Sequence, residues 1–226
     1  MKTTLIVPTF NEIETVPFTL PTIDRSQVGE IIVVDNHSAD GTGEWCREHG
    51  FTVYLQKIPG YGNGIREAIG IATGDIIIEF LPDGSSDPKK IPALIDKINE
   101  GHDLVIASRY RDGAHSEDDT ALTAFGNWLF TKLTNLLFGT SYTDVLVGYR
   151  AYRKKSVETL GLDAAHLEWV IQNSIRFATH GYRVSEIGAD EPKRIGGERK
   201  MQPFSTGLRL LKVMMQEFFS RTTKKL

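Results

Sequence analysis

The sequence predicts an α/β fold in which helices cover both faces of a mostly parallel β-sheet. Strand-like and helix-like segments alternate regularly along the first 110 residues, which is typical of βαβ units. Each strand-like segment is almost continuously apolar, as expected of a strand that is buried on both faces. Several of these segments also stop abruptly at small, polar or acidic residues, which indicates a binding edge.

Five strands are predicted before residue 111, over residues 3–8, 30–35, 52–56, 75–81 and 103–110. The segments between them predict helices over residues 12–24, 40–50, 62–74 and 88–101. The second of these helices has Asp40 near its N-cap position and Gly50 as a stop signal.

The pattern changes after Tyr110. A polar, acidic loop (111–120) precedes an apolar helix (121–139), a strand and turn (143–154), a further helix (165–180) and a late strand (182–188). The tail predicts an amphipathic helix, with one apolar face listed as Leu208, Leu211, Met215 and Phe218.

Composition and charge narrow the class of protein. The 226 residues are 40% hydrophobic and 24% charged, as in an ordinary globular domain. The single cysteine, Cys46, excludes an internal disulfide. The net charge of −3 argues against general nucleic-acid binding, but residues 193–226 carry +7 and residues 1–192 carry −10. Such a tail either meets an anionic surface or is simply solvated.

Targeting signals are not evident in the sequence. The N-terminal apolar run is short and is interrupted by Pro8, unlike the core of a signal peptide. No stretch reaches the roughly 18 consecutive apolar residues that a membrane span needs. We therefore expect a cytoplasmic protein that can lie peripherally at the inner face of the membrane.

Three predicted strands end next to acidic residues, namely Glu12, Asp35 and Asp83. The carboxyl ends of parallel strands meet at one edge of a doubly wound sheet, and ligands bind in the crevice beyond that edge. We therefore expect these carboxylates to belong to one site.

Five motifs then occur in a fixed order: VPTFNE, VVDNHSADGT, a GD-strand-PDG unit, SRY and TDVLVGYRAYR. Together they resemble the GT-A glycosyltransferases of family 2, above all dolichol-phosphate mannose synthases and polyprenyl-phosphate sugar transferases. The resemblance implies a GT-A (Rossmann-like) domain over residues 1–200. Residues 1–110 are expected to bind the nucleotide sugar and residues 111–200 the acceptor, with 201–226 as a basic amphipathic tail.

The first two motifs are expected to bind the nucleotide. A carboxylate at a strand end can accept the imide N–H of a base, and Asp35 is the candidate for this role. The resemblance places Pro8, Thr9, Asn11 and Glu12 around the base and ribose. Asn36 and Ser38 are further candidates, although the residues around them also suit turns and helix caps.

The diphosphate requires charge compensation. GT-A enzymes usually hold Mg²⁺ or Mn²⁺ with an Asp-x-Asp motif, since hard cations prefer oxygen ligands. Here Leu81 replaces the first acid, so Asp83 is the expected metal ligand, with Ser85 and Asp87 nearby. A second departure is Tyr61, which stands where relatives often carry Lys between two glycines.

Cations are needed to guide an acceptor phosphate. The candidates for phosphate binding are Arg109, Arg194 and Lys200, and Gly196 and Gly197 would serve as a hinge beneath them. The resemblance also marks Asp144 and Arg150, with Asp83, as catalytic candidates.

A hydroxyl acceptor would instead require a base. Relatives often supply a glutamate in this segment, and counting back from the following GY dipeptide places Gln172 at that position; with the register shifted by one helical turn, Glu168 would be the base instead. Because Gln cannot act as a base, the sequence favours a phosphate acceptor.

The predicted function is transfer of a hexose from GDP-mannose or UDP-glucose to a polyprenyl phosphate, with inversion of the anomeric centre. One alternative is the same chemistry on a soluble or glycan hydroxyl. Another is a degenerate nucleotide-sugar-binding protein, suggested by the acid missing at Leu81. A membrane partner and a homo-oligomer are both compatible with the sequence.

Overall fold

A single seven-stranded sheet organises the computed structural model, which describes residues 1–197 and 201–223. Its strands are β1 (Thr3–Thr9), β2 (Glu30–Asp35), β3 (Thr52–Leu55), β4 (Ile76–Glu79), β5 (Leu104–Ser108), β6 (Arg150–Arg153) and β7 (Val184–Gly188). They are arranged in the order β3-β2-β1-β4-β6-β5-β7. Only β6 runs antiparallel to its neighbours in this described sheet.

Eight α-helices accompany the sheet in the described part of the chain. They are α1 (Val16–Thr19), α2 (Thr42–Glu48), α3 (Tyr61–Ile71), α4 (Ile91–Asn99), α5 (Ala121–Phe138), α6 (Lys154–Thr159), α7 (Trp169–Thr179) and α8 (Pro203–Thr223). Short 3₁₀ turns cover Leu20–Thr22 and Pro88–Lys90. The helix-flanked, mostly parallel sheet confirms the predicted fold class.

Burial explains why the strands read as continuous apolar runs. Leu5, Ile6, Ile77 and Val105, in the central strands, are all 0% exposed. A strand covered on both faces has no solvent side and therefore no polar alternation. The predicted strand over residues 143–154 is shorter in the structure, because β6 starts only at Arg150.

The tail helix α8 packs against α5 and α7, and the predicted face takes part only at its C-terminal end, where Phe218 packs edge-on against Phe138 of α5. Leu210 and Met214 are buried, whereas Leu208 is 72% and Leu211 is 42% exposed. The prediction that Leu208 and its neighbours form one apolar face did not recognise a second apolar stripe on the same helix. No helix in the described ranges has both the length and the apolar character needed to cross a bilayer.

Candidate active site

A cleft of about 570 Å³ lies beyond the carboxyl ends of the parallel strands. Residues that follow β1, β2, β4 and β5 line one side of it, including Thr9, Asn36, Asp83 and Arg109. The other side comes from the second half of the chain: Leu146, Val147, Gly148, His166, Leu167, Val170, Glu191, Arg194, Met201 and Arg209. The fold therefore brings distant predicted site residues together at one edge.

The predicted nucleotide-binding residues divide into two groups. Pro8, Thr9, Glu12 and Asn36 line the cleft. Their role in binding a nucleotide stays a prediction.

Asn11, Asp35 and Ser38 lie outside the cleft lining and join two loops instead. The amide N–H of Asn11 donates to Ser38 Oγ at 2.9 Å, and Asn11 Oδ1 accepts from Ala39 N at 2.8 Å. The buried Asp35 accepts from Ser38 N at 2.9 Å. The bonds of Asn11 fix the loop after β1 to the loop after β2, and nucleotide binding by Asn11, Asp35 and Ser38 stays a prediction.

Asp83 opens the loop after β4. Its Oδ1 accepts hydrogen bonds from the Ser85 hydroxyl at 2.6 Å and from Ser85 N at 3.0 Å. Its Oδ2 lies 3.5 Å from Nη2 of Arg194. Asp83 therefore presents an oriented carboxylate to the cleft.

Leu81 and Tyr61, the two residues that depart from the family pattern, both lie next to Gly148. A Cβ added at Gly148 would lie 3.1 Å from the Tyr61 hydroxyl and 3.4 Å from Leu81 Cδ1. Leu81 and Tyr61 thus both lie against Gly148.

A divalent cation fits the cleft only together with a ligand. Among the described residues, no group of three or more His, Cys, Asp or Glu side chains is placed to hold a metal. Mg²⁺ is commonly bound by one or two carboxylates, with substrate phosphates and water completing its shell. Asp83 suits that arrangement, which does not require the acid that Leu81 replaces.

Arg109 is the centre of a carboxylate cluster. Its Nε and Nη2 donate to Asp144 at 2.7 Å and 3.0 Å, and its Nη1 lies 3.2 Å from Glu191 and 3.5 Å from Asp119. Burial opposes its charge, but Asp144 and the other carboxylates raise the pKa of Arg109 well above its usual value. Burial raises the pKa of Glu191, although Arg109 opposes this effect.

Asp144 and Arg150 are both 0% exposed and lie outside the cleft lining. Asp144 accepts from the backbone N–H groups of Leu146 and Val147 as well as from Arg109. Arg150 donates to the carbonyl oxygens of Val147 and Val170, which ties the loop before β6 to α7. The catalytic role of both residues stays a prediction.

Arg194 reaches the cleft from the loop after β7. It donates to both carboxylate oxygens of Asp118, at 3.2 Å and 3.0 Å, beside its contact with Asp83. Lys200, the other predicted phosphate-binding residue of this loop, lies outside the described residues. Phosphate binding by Arg109, Arg194 and Lys200 stays a prediction.

Four ionisable residues that line the cleft were not among the predicted site residues: Asp118, His166, Glu191 and Arg209. Arg209 reaches the cleft from α8 and pairs with Glu168 at 3.4 Å. No local pattern marks such residues, because their place depends on how α8 and the loops dock.

Gln172, at the position where relatives often have a glutamate, is buried away from the cleft. Its amide N–H groups donate to Asp163 at 2.6 Å and to Glu217 at 2.9 Å, and its Oε1 accepts from Ala164 N at 2.9 Å. These bonds anchor α8 to α7.

The glycine-rich turn (residues 60–64) forms the start of α3 and approaches protein backbone closely. A Cβ on Gly62 would lie 2.1 Å from the carbonyl oxygen of Ala164, and Gly60 has a φ of +117°. The absence of a side chain at Gly62 thus allows close packing of α3 against the backbone of Ala164. The turn is fixed further by the Tyr61 hydroxyl, which donates to the buried Glu79 at 2.6 Å.

Comparisons with known proteins agree with this geometry. The chain is 30% identical to an undecaprenyl-phosphate mannosyltransferase of Micrococcus luteus, covering 89% of this chain and 88% of that protein. It is 31% identical to a dolichyl-phosphate hexose transferase of Haloferax volcanii, covering 94% of each chain.

Among solved structures, glucosyl-3-phosphoglycerate synthase from Mycobacterium tuberculosis, in complex with Mn²⁺, UDP and phosphoglyceric acid, has the same fold. Its TM-score is 0.77 at 19% identity, covering 96% of this chain and 78% of that one. Residues 4–161 match the family described as Glycosyl transferase family 2. The chain belongs to glycosyl transferase family 2.

Proposed function

We propose that this protein transfers a hexose from a nucleotide sugar, of the GDP-mannose or UDP-glucose type, to a polyprenyl phosphate. The M. luteus and H. volcanii relatives are named for transfer to such lipids. The M. tuberculosis enzyme of the same fold was solved with UDP. These names support the class of donor and acceptor.

The observation that carries the proposal is an apolar groove that opens into the cleft. The groove lies between α5 and α8 and has a volume of about 260 Å³. It shares four wall residues with the cleft, namely Leu146, Leu167, Val170 and Met201. A molecule with an anionic head and an apolar chain fits this combination, whereas a small soluble acceptor makes no use of the groove.

Three arginines of the cleft can donate to an anionic head group, which would share them with the carboxylates that they now pair with. Arg109, Arg194 and Arg209 all line the cleft. Arg209 stands on α8, the helix that also forms one wall of the groove. A phosphate held by these arginines would direct its chain into the groove.

The chemistry needs no strong base. An oxygen of the acceptor phosphate, already an anion at neutral pH, attacks the anomeric carbon. The bond from that carbon to the diphosphate breaks, and the nucleoside diphosphate leaves with the bonding electrons. Attack opposite the leaving group inverts the anomeric centre.

The chain's own residues would orient the two reactants. Arg194 would stabilise the negative charge that develops on the diphosphate, and Arg109 would orient the attacking phosphate. Asp83 would hold Mg²⁺ or Mn²⁺, which would supply charge neutralisation for the leaving diphosphate. The Mn²⁺ in the M. tuberculosis complex supports this assignment.

Glu191 supports a second candidate, transfer to a hydroxyl. It lines the cleft, and burial raises its pKa, as is found for carboxylates that act as general bases. Its contacts with Arg109 and with the Ser116 hydroxyl favour a positioning role instead. Dependence of transfer on a phosphate acceptor separates the two candidates.

We place the enzyme at the inner face of the membrane. Phe125 and Phe204, at the groove, are 56% and 81% exposed, and Trp128 stacks on Phe125 with ring centroids 5.7 Å apart. Exposed aromatic groups beside basic residues suit a membrane interface. The excess of positive charge in residues 193–226 supports contact with anionic lipid.

The test is transfer of labelled hexose from a panel of nucleotide sugars, with and without polyprenyl phosphate. We expect product only with the lipid phosphate, and at least about a 100-fold loss of rate in Asp83→Asn. Asp96→Asn, which removes an exposed carboxylate on α4, should leave the rate unchanged. Full turnover on a hydroxyl acceptor without lipid phosphate would contradict the proposal.

A further inference from the structure

Arg194 occupies the position of a counter-ion between two carboxylates. Its Nη2 lies 3.0 Å from Asp118 Oδ2 and 3.5 Å from Asp83 Oδ2. The three side chains are largely enclosed, with exposures of 23% for Arg194, 10% for Asp118 and 15% for Asp83. The positive charge of Arg194 therefore offsets part of the negative charge at the edge of the cleft that a divalent cation would occupy.

The backbone holds Arg194 close to Asp83. The N–H of Ile195 donates to the carbonyl oxygen of Asp83 at 3.0 Å. Two residues later, the N–H of Gly197 donates to Glu14 at 3.1 Å. Asp83 thus binds this loop through its main chain while its side chain faces the guanidinium.

A divalent cation and Arg194 compete for the same carboxylate. Two positive charges a few ångströms apart repel each other strongly in a partly buried site. Leu81 supplies no second acid to strengthen a metal at this place. A cation arriving alone would have to displace Arg194 from Asp83 and leave the guanidinium close to the ion.

A nucleoside diphosphate removes this conflict. Its phosphate oxygens give the cation additional ligands and give Arg194 a new anionic partner. Cation and nucleotide would then bind more tightly together than either binds alone, and the coupling is reciprocal.

We infer that Arg194 is a built-in competitor of the metal, which makes cation binding depend on the nucleotide diphosphate. This inference rests on the proposed function, because it takes Asp83 as the metal-binding carboxylate. The competition between Arg194 and the cation needs no acceptor, so Arg194 acts already when the cation and the nucleotide bind.

The test measures Mn²⁺ binding by the loss of the free-ion EPR signal on adding the protein, with and without UDP or GDP, relative to protein-free solutions of the same Mn²⁺ and nucleotide, because the diphosphates bind Mn²⁺ themselves. For the unaltered protein we expect weak binding of Mn²⁺ alone and clear tightening with one of the nucleotides. In Arg194→Gln, Mn²⁺ alone should bind about tenfold more tightly, because the competing charge is gone. The effect of the nucleotide on Mn²⁺ affinity should be smaller in that variant.

Two further variants serve as controls. Arg194→Lys keeps the positive charge and should restore most of the weak binding of Mn²⁺ alone. Arg111→Gln removes an arginine that pairs with Glu186 and Asp112 outside the cleft lining, and it should bind Mn²⁺ as the unaltered protein does. A thermal melt without ligand verifies that each variant is folded.

The outcomes separate the inference from the proposed function. If a nucleotide tightens Mn²⁺ binding but Arg194→Gln binds Mn²⁺ alone no better than the unaltered protein, the competitor role is wrong. If neither UDP nor GDP changes Mn²⁺ binding in any variant, the proposed donor and metal site is wrong, and the inference is lost with it.

Discussion

Glu79 is a fully buried carboxylate at the end of β4. It accepts hydrogen bonds from the Tyr61 hydroxyl at 2.6 Å, from the Tyr152 hydroxyl at 2.9 Å and from Trp169 Nε1 at 2.9 Å. Burial raises its pKa, although the charge of Arg150 and the three donors oppose this effect. Glu79 thereby connects the glycine-rich turn, β6 and α7 directly beneath the cleft.

The raised pKa gives Glu79 a predictable effect on stability. Between the ordinary glutamate value and its higher value in the folded protein, the folded state binds more protons than the unfolded state. The contribution of Glu79 is therefore greatest below the ordinary value and falls as the pH rises through the folded pKa. Unfolding free energies from pH 4 to 8 should show this decline relative to Glu79→Gln. A pH-independent difference between the two proteins would contradict it.

At the level of single residues, the sequence predicts which side chains occupy strand ends more reliably than what those side chains contact. Thr9, Asn36 and Asp83 line the cleft as their positions after apolar runs suggest. The contact of Arg194 with Asp118 is not visible in the sequence, because 75 residues separate them and only the folded loops bring them together.

At the level of elements, the glycine-rich turn and α3 form a rigid wall of the cleft. Gly62 faces the carbonyl oxygen of Ala164, and Asn63 N donates to Ala165 O at 3.2 Å. This wall orients His166, which lies on the segment that the turn contacts and lines the cleft.

Two alanine substitutions in the same helix test this close packing. Gly62→Ala places a methyl group against a backbone oxygen and should cost about 2–3 kcal/mol of unfolding free energy. Gly70→Ala meets no atom within 4 Å and should stabilise by about 0.5–1 kcal/mol. Urea denaturation of both variants measures the difference. Equal effects would show that the turn does not pack as described.

The ion pair between α7 and α8 gives a second test. Arg176 donates to Glu217 at 2.8 Å through Nε, and both side chains are largely buried. Glu217→Ala should therefore cost about 1–3 kcal/mol, since it removes one hydrogen-bond acceptor from each of Arg176 and Gln172 inside the packed region between α7 and α8. Glu100→Ala breaks an exposed pair with Lys97 and should cost at most about 0.5 kcal/mol. Urea denaturation measures both losses of unfolding free energy. Similar losses in Glu217→Ala and Glu100→Ala would show that Glu217 does not stabilise the contact between α7 and α8.

Element types follow from sequence periodicity, but the docking face of α8 does not. Leu208, Leu211 and Met215 recur at helical spacing, and so do Leu210 and Met214. A helix with two apolar stripes can be buried on either, and contacts with α5 and α7 decide between them. Met214 lies under the Thr134 hydroxyl of α5, with Oγ1 and Sδ 4.0 Å apart.

Considered as a whole molecule, the protein combines a charged cleft with an apolar groove. Beside the groove, Leu208 and Leu211 of α8 remain exposed. The sheet supplies strand-end groups such as Asp83 and Arg109, whereas α5 and α8 supply the groove. This arrangement predicts that binding to a lipid surface and access of the acceptor use the same face. The division of the chain into donor and acceptor halves stays a prediction.

Vesicle binding tests that arrangement. The protein should co-sediment with vesicles that contain anionic phospholipid, and less so at high salt. Phe125→Ser and Phe204→Ser should each weaken binding by about tenfold, because a large apolar side chain is lost from the contact. Phe18→Ser removes an equally exposed ring on α1 and should have no effect. Equal losses in all three variants would exclude α5 and α8 as the lipid-binding face.

The central claim is that strand ends and loops from both halves of the chain form one cleft for the diphosphate of a nucleotide sugar. A crystal structure with Mn²⁺ and the nucleoside diphosphate that stabilises the protein tests this most directly. The account predicts density for the base beside Pro8 and Asn36, and for the diphosphate between Asp83 and Arg194. Nucleotide density away from this cleft, with Asp83 still paired to Arg194, would contradict it.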